Sequence, residues 1–124
     1  MIYPQDEFPL LEEYRKVFPI TDRTIFAYDH DIYTNYDLPP DLIVHEEQHH
    51  KQQDEYGLNY WIANYLNDVN FRLDMEIDAY RKQLRSIKDR NFRYKIMLES
   101  VIHLASGLYG NIITREEATK RLKI

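Results

Sequence analysis

The chain contains 124 residues, of which 44% are apolar and 14% aromatic, and it carries a formal charge of −5. This length provides the core of one globular domain, residues 1–124, but not of two, and the composition excludes a chain that stays disordered. An acidic chain without a basic run argues against nucleic acid as the main partner.

The chain has no cysteine, so any zinc ion would have to be held by histidine and carboxylate ligands. Such a ligand set suits a catalytic zinc site better than a structural one. The N-terminal segment has neither the basic nor the apolar region of a signal peptide, and no apolar run reaches 18 residues. We therefore expect a cytoplasmic protein that does not enter a membrane.

The first predicted element is a helix that packs on the core. It follows an extended lead and is expected to begin at Asp6 or Glu7, with Pro9 in its first turn. It should continue to about Phe18 and end at Pro19, since proline cannot continue a helix.

A β-hairpin is predicted next, because residues 24–28 and 32–36 are rich in β-branched and aromatic types. Residues 29–31 between them predict a three-residue turn, with His30 in solvent rather than in a metal site. The free edge of this hairpin could bind an extended peptide as an added strand.

The next helix is clearly delimited in the sequence. Pro39 and Pro40 suit a first turn, and Asp41 there is favourable to the helix dipole. The helix should end at Tyr56, with Gly57 as a left-handed C-terminal cap. At 100° per residue, one face of this helix combines Leu42, His45, Glu46, His49, Gln52, Gln53 and Tyr56.

This helix carries the pattern H-E-x-x-H at His45, Glu46 and His49. Residues four apart lie on one side of a helix, so both imidazoles can reach one ion, with the glutamate beside it. A shuffled chain of this composition would show the pattern about once in 60 trials, so the helical context matters. The arrangement points to a hydrolytic zinc site, and we interpret His50 as a flanking residue.

Two helices are predicted after the motif, an aromatic one over residues 58–69 and another over 70–88. The inward stripe of the second consists of Leu73, Glu76, Ile77, Tyr80, Gln83 and Leu84. Glu76 is a charge among apolar residues, and a buried carboxylate needs a partner such as a metal ion. Ala79, one turn on, would let this helix approach the motif helix closely.

The last predicted elements are a helix over residues 91–107 and one that opens with a capping box at Thr114 and continues to Ile124. His103 lies in an apolar run, which favours a core histidine with a hydrogen-bond partner over a site residue. The predicted fold is therefore α+β and predominantly helical, with a short hairpin, or small antiparallel sheet, packed on the helices.

With the H-E-x-x-H pattern and the later segment from Glu76 to Ala79, residues 24–85 resemble the gluzincin metallopeptidases, most closely their minimal members. The resemblance implies a zincin-like core in which His45, His49 and Glu76 bind one Zn²⁺, with water as the fourth ligand. It also implies that Glu46 is the general base that activates this water, and that the substrate is a peptide or protein.

The resemblance further implies a tyrosine or histidine that assists at the developing oxyanion, for which Tyr80, Tyr109 and His103 are all candidates. Larger members of the family have an aspartate four residues after the ligand glutamate, where this chain has Tyr80. Asp78, Asp74 or a backbone carbonyl would then have to orient a ligand histidine.

Two other classes of protein are considered. A di-iron bundle needs Glu-x-x-His on two separate helices, and the sequence has it on one. A catalytically inactive zinc-binding protein, or a helical interaction or regulatory protein of the kind that phages or operons encode, would suit the small size and the eleven tyrosines.

Overall fold

Six α-helices and a three-stranded sheet make up the computed structural model, which describes residues 1–123. The strands are β1 (Ile2–Tyr3), β2 (Phe26–Tyr28) and β3 (Asp31–Tyr33). The helices are α1 (Leu11–Arg15), α2 (Pro40–Tyr56), α3 (Leu58–Asn67), α4 (Val69–Ser86), α5 (Arg90–Leu104) and α6 (Arg115–Leu122). The predicted α+β class with a helical majority is confirmed.

The sheet is mixed rather than antiparallel, because β1 adds to the hairpin as a parallel strand beside β3. The predicted three-residue turn was also wrong. Asp31 pairs with Tyr28 inside the ladder, which leaves a two-residue turn of Asp29 and His30 at φ 50° and 70°. Two consecutive residues at positive φ give the turn whose twist matches that of the strands.

The first helix is shorter than predicted, since α1 begins at Leu11 and residues Gln5–Glu7 form a 3-10 turn instead. The Gln5 side chain fixes this turn by donating to the carbonyls of Thr21 and Thr24, each over 2.8 Å. Phe8, which follows the turn, is buried against Phe26 with ring centroids 4.2 Å apart. These tertiary contacts outweigh the local helix signal.

The motif helix α2 ends at Tyr56, as predicted. Gly57 has the positive φ of 89° expected of a glycine there, but its ψ of 132° is extended, so α3 begins at the next residue. The ends of α3, α4 and α5 differ from the predictions by at most three residues. The capping box at Thr114 opens α6, while its predicted end at Ile124 lies outside the described residues.

Helix α2 contacts α3, α4 and β2, and this packing positions the site. One apolar cluster joins α4, α5 and α6 around Leu84, Leu104 and Leu122. A second, aromatic cluster joins the N-terminal segment to the sheet around Phe8 and Phe26. No helix within residues 1–123 is long and apolar enough to span a membrane.

Candidate metal centre

The H-E-x-x-H side chains are buried where α2 crosses α4, and Glu76 of α4 faces them. His45, Glu46, His49 and Glu76 are each no more than 6% exposed. The Nε2 atom of His45 lies 3.0 Å from Oε1 of Glu76, and Nε2 of His49 lies 3.0 Å from Oε2. The two imidazoles therefore reach the same carboxylate from one side of α2, as the sequence predicted.

This group has the composition and the geometry of a metal site. One ligand atom from each of His45, His49 and Glu76 lies within 4.8 Å of the others, and no other such group occurs within residues 1–123. Ligands about 2.1 Å from a tetrahedral ion lie about 3.4 Å apart, so small side-chain shifts would admit one. The three residues fit a metal ion and could bind one.

The charges in this buried group are strongly coupled. Burial alone would raise the pKa of Glu76, but His49 and His45 hold it well below its usual range. Burial would lower the pKa of His49, yet the charge of Glu76 and the hydrogen bond to it raise that pKa to about 9. The carboxylate is thus negative and demands a positive partner, which an imidazolium or a metal cation can supply.

Glu46 lies in the same cavity, and burial raises the pKa of its carboxyl above the ordinary value. The neighbouring His45 and His49 oppose this rise, while the negative charge of Glu76 adds to it. Such a carboxylate binds a proton more readily than an exposed one, as a general base requires.

A further partner of Glu76 was not predicted. Tyr65, on α3, donates its hydroxyl to Oε2 of Glu76 over 2.6 Å, and burial raises the pKa of this phenol well above its ordinary value. The sequence shows Tyr65 only as one of several aromatic residues in a helix that covers the core, so no local signal identifies it.

His45 and His49 each contact a glutamine through Nδ1. The Nδ1 atom of His45 lies 2.9 Å from Oε1 of Gln83, whose Nε2 donates to Oδ2 of Asp41 over 2.7 Å. The Nδ1 atom of His49 lies 2.9 Å from Oε1 of Gln52. The sequence placed both glutamines on the inward faces of their helices without assigning them a role.

The predicted acidic partners of the histidines need correction. Asp78 hydrogen-bonds neither His45 nor His49 but accepts from Nε2 of Gln52 over 2.9 Å. Asp74 is exposed and pairs with Arg121 over 2.8 Å, because it lies on the outer face of α4. Asp78 therefore acts on His49 only through Gln52, and Asp74 takes no part.

The three candidates for assistance at the oxyanion, Tyr80, Tyr109 and His103, line a cavity of about 360 Å³. His45, His49 and Glu76 line the same cavity. The ring of Tyr80 lies edge-on to His45, with centroids 4.6 Å apart. His103 is 6.2 Å from Tyr80 and 5.5 Å from Tyr109, centroid to centroid. Its ring lines the cavity instead of filling the core, and burial lowers its pKa.

The other histidines lie outside this group. His30 is in the exposed turn, as predicted, and pairs with Asp54 over 2.8 Å. His50 hydrogen-bonds the carbonyl of Asp31 through Nε2 and flanks the site. Glu47 is exposed on the outer side of α2, so the alternative Glu-x-x-His pair of Glu47 and His50 does not converge on the ligands.

Comparison with the models of known protein families, with curated proteins and with solved structures gave no match.

Proposed function

We propose that this protein is a zinc-dependent hydrolase of peptide bonds, in which His45, His49 and Glu76 hold Zn²⁺ and Glu46 is the general base. The convergence of both Nε2 atoms on the Glu76 carboxylate, with Glu46 buried beside them, carries the proposal. Two imidazoles, one carboxylate and no thiolate match the ligand set of catalytic zinc, which leaves a position open.

When bound, the ion would acidify a water molecule and polarise the scissile carbonyl. The role of the chain is to move the proton. Glu46 takes it from the attacking water and later delivers it to the leaving amine, and the raised pKa of its buried carboxyl favours this uptake. Glu46 contributes a carboxylate that makes no hydrogen bond to His45 or His49 and is therefore available to water.

Tyr80 is the candidate that best fits assistance at the oxyanion. It lies one turn after Glu76 on α4 and packs against the ligand His45. Burial raises the pKa of Tyr80 well above its ordinary value, so the hydroxyl stays protonated and can donate a hydrogen bond. The ring of His103 pairs with Tyr80 and Tyr109 instead of with His45.

The walls of the cavity favour a peptide with a large apolar side chain next to the bond that is cleaved. Several apolar residues line it beside the ligands, namely Phe18, Ile20, Ile25, Leu42 and Leu108. Strand β2 is an edge of the sheet and contributes Phe26 and Ala27 to the same cavity. The Gln53 side chain already donates a hydrogen bond to the carbonyl of Ala27. A peptide that adds as a strand would therefore have to pair with backbone groups nearer residue 25.

Metal content and peptide cleavage test the proposal together. We expect one zinc per chain in the purified protein, and cleavage of a mixed peptide library by the wild type but not by Glu46→Gln with its zinc retained. General-base removal should lower kcat at least about 100-fold. An intact library with both zinc-loaded proteins would contradict hydrolysis, and a protein that binds no metal would contradict the site itself.

An interaction protein that keeps zinc only for stability is the second candidate, and one surface favours it. Tyr94, Leu98 and Ile102 follow at four-residue intervals along α5 and are 59%, 44% and 52% exposed. Aromatic and aliphatic side chains exposed on one stripe are typical of contact surfaces. This candidate predicts equal zinc content and no cleavage for the wild type and Glu46→Gln.

A further inference from the structure

We propose that Gln52 and Gln83 are positioning residues that hold a proton on Nδ1 of both histidines and so reserve Nε2 for the cation, and that Asp41 and Asp78 set the orientation of the two amides. This inference rests on the proposed metal site but not on hydrolysis. It follows from which atoms in these hydrogen bonds can only accept and which can only donate.

The series of hydrogen bonds that links Asp41, Gln83 and His45 allows only one arrangement of donors and acceptors. An ionised carboxylate can only accept, so Oδ2 of Asp41, 2.7 Å from the Gln83 amide, requires the NH₂ group there. The amide oxygen must then face Nδ1 of His45, at 2.9 Å. Because an amide oxygen only accepts, Nδ1 has to carry a proton, so Nε2, which faces Glu76, is the nitrogen through which His45 can bind the cation.

His49 is held in the same way, with more partners. The NH₂ group of Gln52 donates to the carbonyl of Met75 over 3.0 Å and to Oδ2 of Asp78 over 2.9 Å. Its oxygen accepts from Nδ1 of His49 over 2.9 Å and from Nε1 of Trp61 over 3.2 Å. The indole N–H is a donor only, so it fixes the amide orientation independently of the carboxylate.

A neutral amide next to the imidazole also suits the charge of this site. Glu46 and Glu76 already bring two buried carboxylates to the cation, enough to balance a charge of +2. A carboxylate in direct contact with each histidine would add negative charge to a buried site, at a cost in desolvation. Here the negative charges of Asp41 and Asp78 stay one residue farther away, while the orientation they impose is passed on through the glutamines.

The chain offers a matched control in Gln53. It neighbours Gln52 on α2, is equally buried at 3% exposure, and makes two hydrogen bonds, with the carbonyl of Ala27 and the amide of Asp29. Neither of these two hydrogen bonds involves a histidine. Substitution by methionine keeps the length and bulk of each glutamine, so Gln52→Met, Gln83→Met and Gln53→Met differ chiefly in the hydrogen bonds they remove.

The experiment measures the zinc dissociation constant by competition with a fluorescent chelator, together with the thermal midpoint of each variant. We expect Gln52→Met and Gln83→Met to raise the dissociation constant about 10- to 100-fold. Gln53→Met should lower the midpoint comparably but leave the zinc affinity within about threefold of the wild type. Zinc-loaded wild type should also show, by nitrogen NMR, a proton on Nδ1 of both His45 and His49.

The two aspartates sharpen the test. Gln52 keeps Met75 and Trp61 when Asp78 is lost, whereas Gln83 depends on Asp41 for its orientation. Asp41→Leu should therefore weaken zinc binding nearly as much as Gln83→Met, and Asp78→Leu clearly less than Gln52→Met.

Equal zinc affinities in all three glutamine variants, or a Gln53→Met effect as large as that of Gln52→Met, would overturn the assignment. A wild-type protein without zinc affinity would contradict the metal site and the assignment together. Zinc binding without cleavage would contradict only the hydrolysis.

Discussion

The hydroxyl of Tyr65 lies 2.6 Å from Oε2 of Glu76, the same oxygen that meets Nε2 of His49. A residue of α3 therefore hydrogen-bonds the α4 carboxylate that lies next to the two imidazoles of α2. A hydrogen bond to a charged, buried group stabilises a protein by about 1.5–3 kcal/mol, so this contact should affect both stability and metal binding.

Replacing Tyr65 by phenylalanine tests that contact. We expect Tyr65→Phe to lower the free energy of unfolding by about 1.5–3 kcal/mol and to weaken zinc binding by about an order of magnitude. Urea unfolding and chelator competition measure the two effects. Tyr14→Phe is the control, because Tyr14 is buried and stacks on Tyr65, whereas the hydrogen bond to Glu76 comes from Tyr65. Unchanged zinc affinity in Tyr65→Phe would show that the hydroxyl does not hold the ligand.

Glu76 should be essential for metal binding. Glu76→Ala removes the carboxylate shared by both histidines, and we expect zinc content to fall from one per chain to near zero. The loss of this buried partner should also cost the chelator-treated protein about 3–5 kcal/mol in free energy of unfolding. Asp74→Ala is the control, since Asp74 lies two residues away on α4 but is exposed and paired with Arg121. Retention of zinc by Glu76→Ala would refute the ligand set.

Zinc binding should depend on pH up to about 9. The pKa of His49 is raised from 6.5 to about 9 by Glu76, so a cation that binds at neutral pH must displace its proton. The zinc dissociation constant should then fall about tenfold for each pH unit toward 9 and level off above it. Calorimetry in buffers of different ionisation enthalpy should detect about one proton released per zinc at pH 7.5. Affinity that is constant between pH 7 and 9 would contradict this pKa.

The same pKa predicts how the chelator-treated protein responds to alkali. A histidine whose pKa rises on folding contributes stability that is fully present below pH 6.5 and is lost as the pH rises through about 9. The thermal midpoint should therefore fall between pH 7 and 10. His49→Gln removes this titration and should flatten that part of the profile, and an equally steep fall in His49→Gln would locate the cause elsewhere.

Tyr80 can be separated from its two neighbours by kinetics. If its hydroxyl assists at the oxyanion, Tyr80→Phe should lower kcat about 100- to 1000-fold, with zinc affinity and KM nearly unchanged. Tyr109→Phe should change kcat by no more than about a few-fold, because the ring of Tyr109 contacts His103 while Tyr80 contacts His45. A larger loss in His103→Gln than in Tyr80→Phe would assign the role to His103 instead.

Local structure could be predicted wherever the residues that determine it lie in one stretch of the sequence. The spacing of His45 and His49 places both side chains on one face of any α-helix, and the prolines and Gly57 indicated where that helix begins and ends. Glu76 could be anticipated because a charge on an apolar stripe requires a partner. The turn at Asp29 and His30 was mispredicted by one residue, because its length depends on the register of the two strands as a pair.

The sequence by itself determined which residues could bind a cation, because helical periodicity places His45 and His49 on one face whatever the rest of the chain does. Only the tertiary structure decided what holds them. Gln83 is 38 residues from His45 and Tyr65 is 11 from Glu76, and glutamine and tyrosine have no spacing rule that marks them as partners. Their roles follow from the crossing of α2, α3 and α4, where buried donors and acceptors have to pair with each other because water cannot reach them.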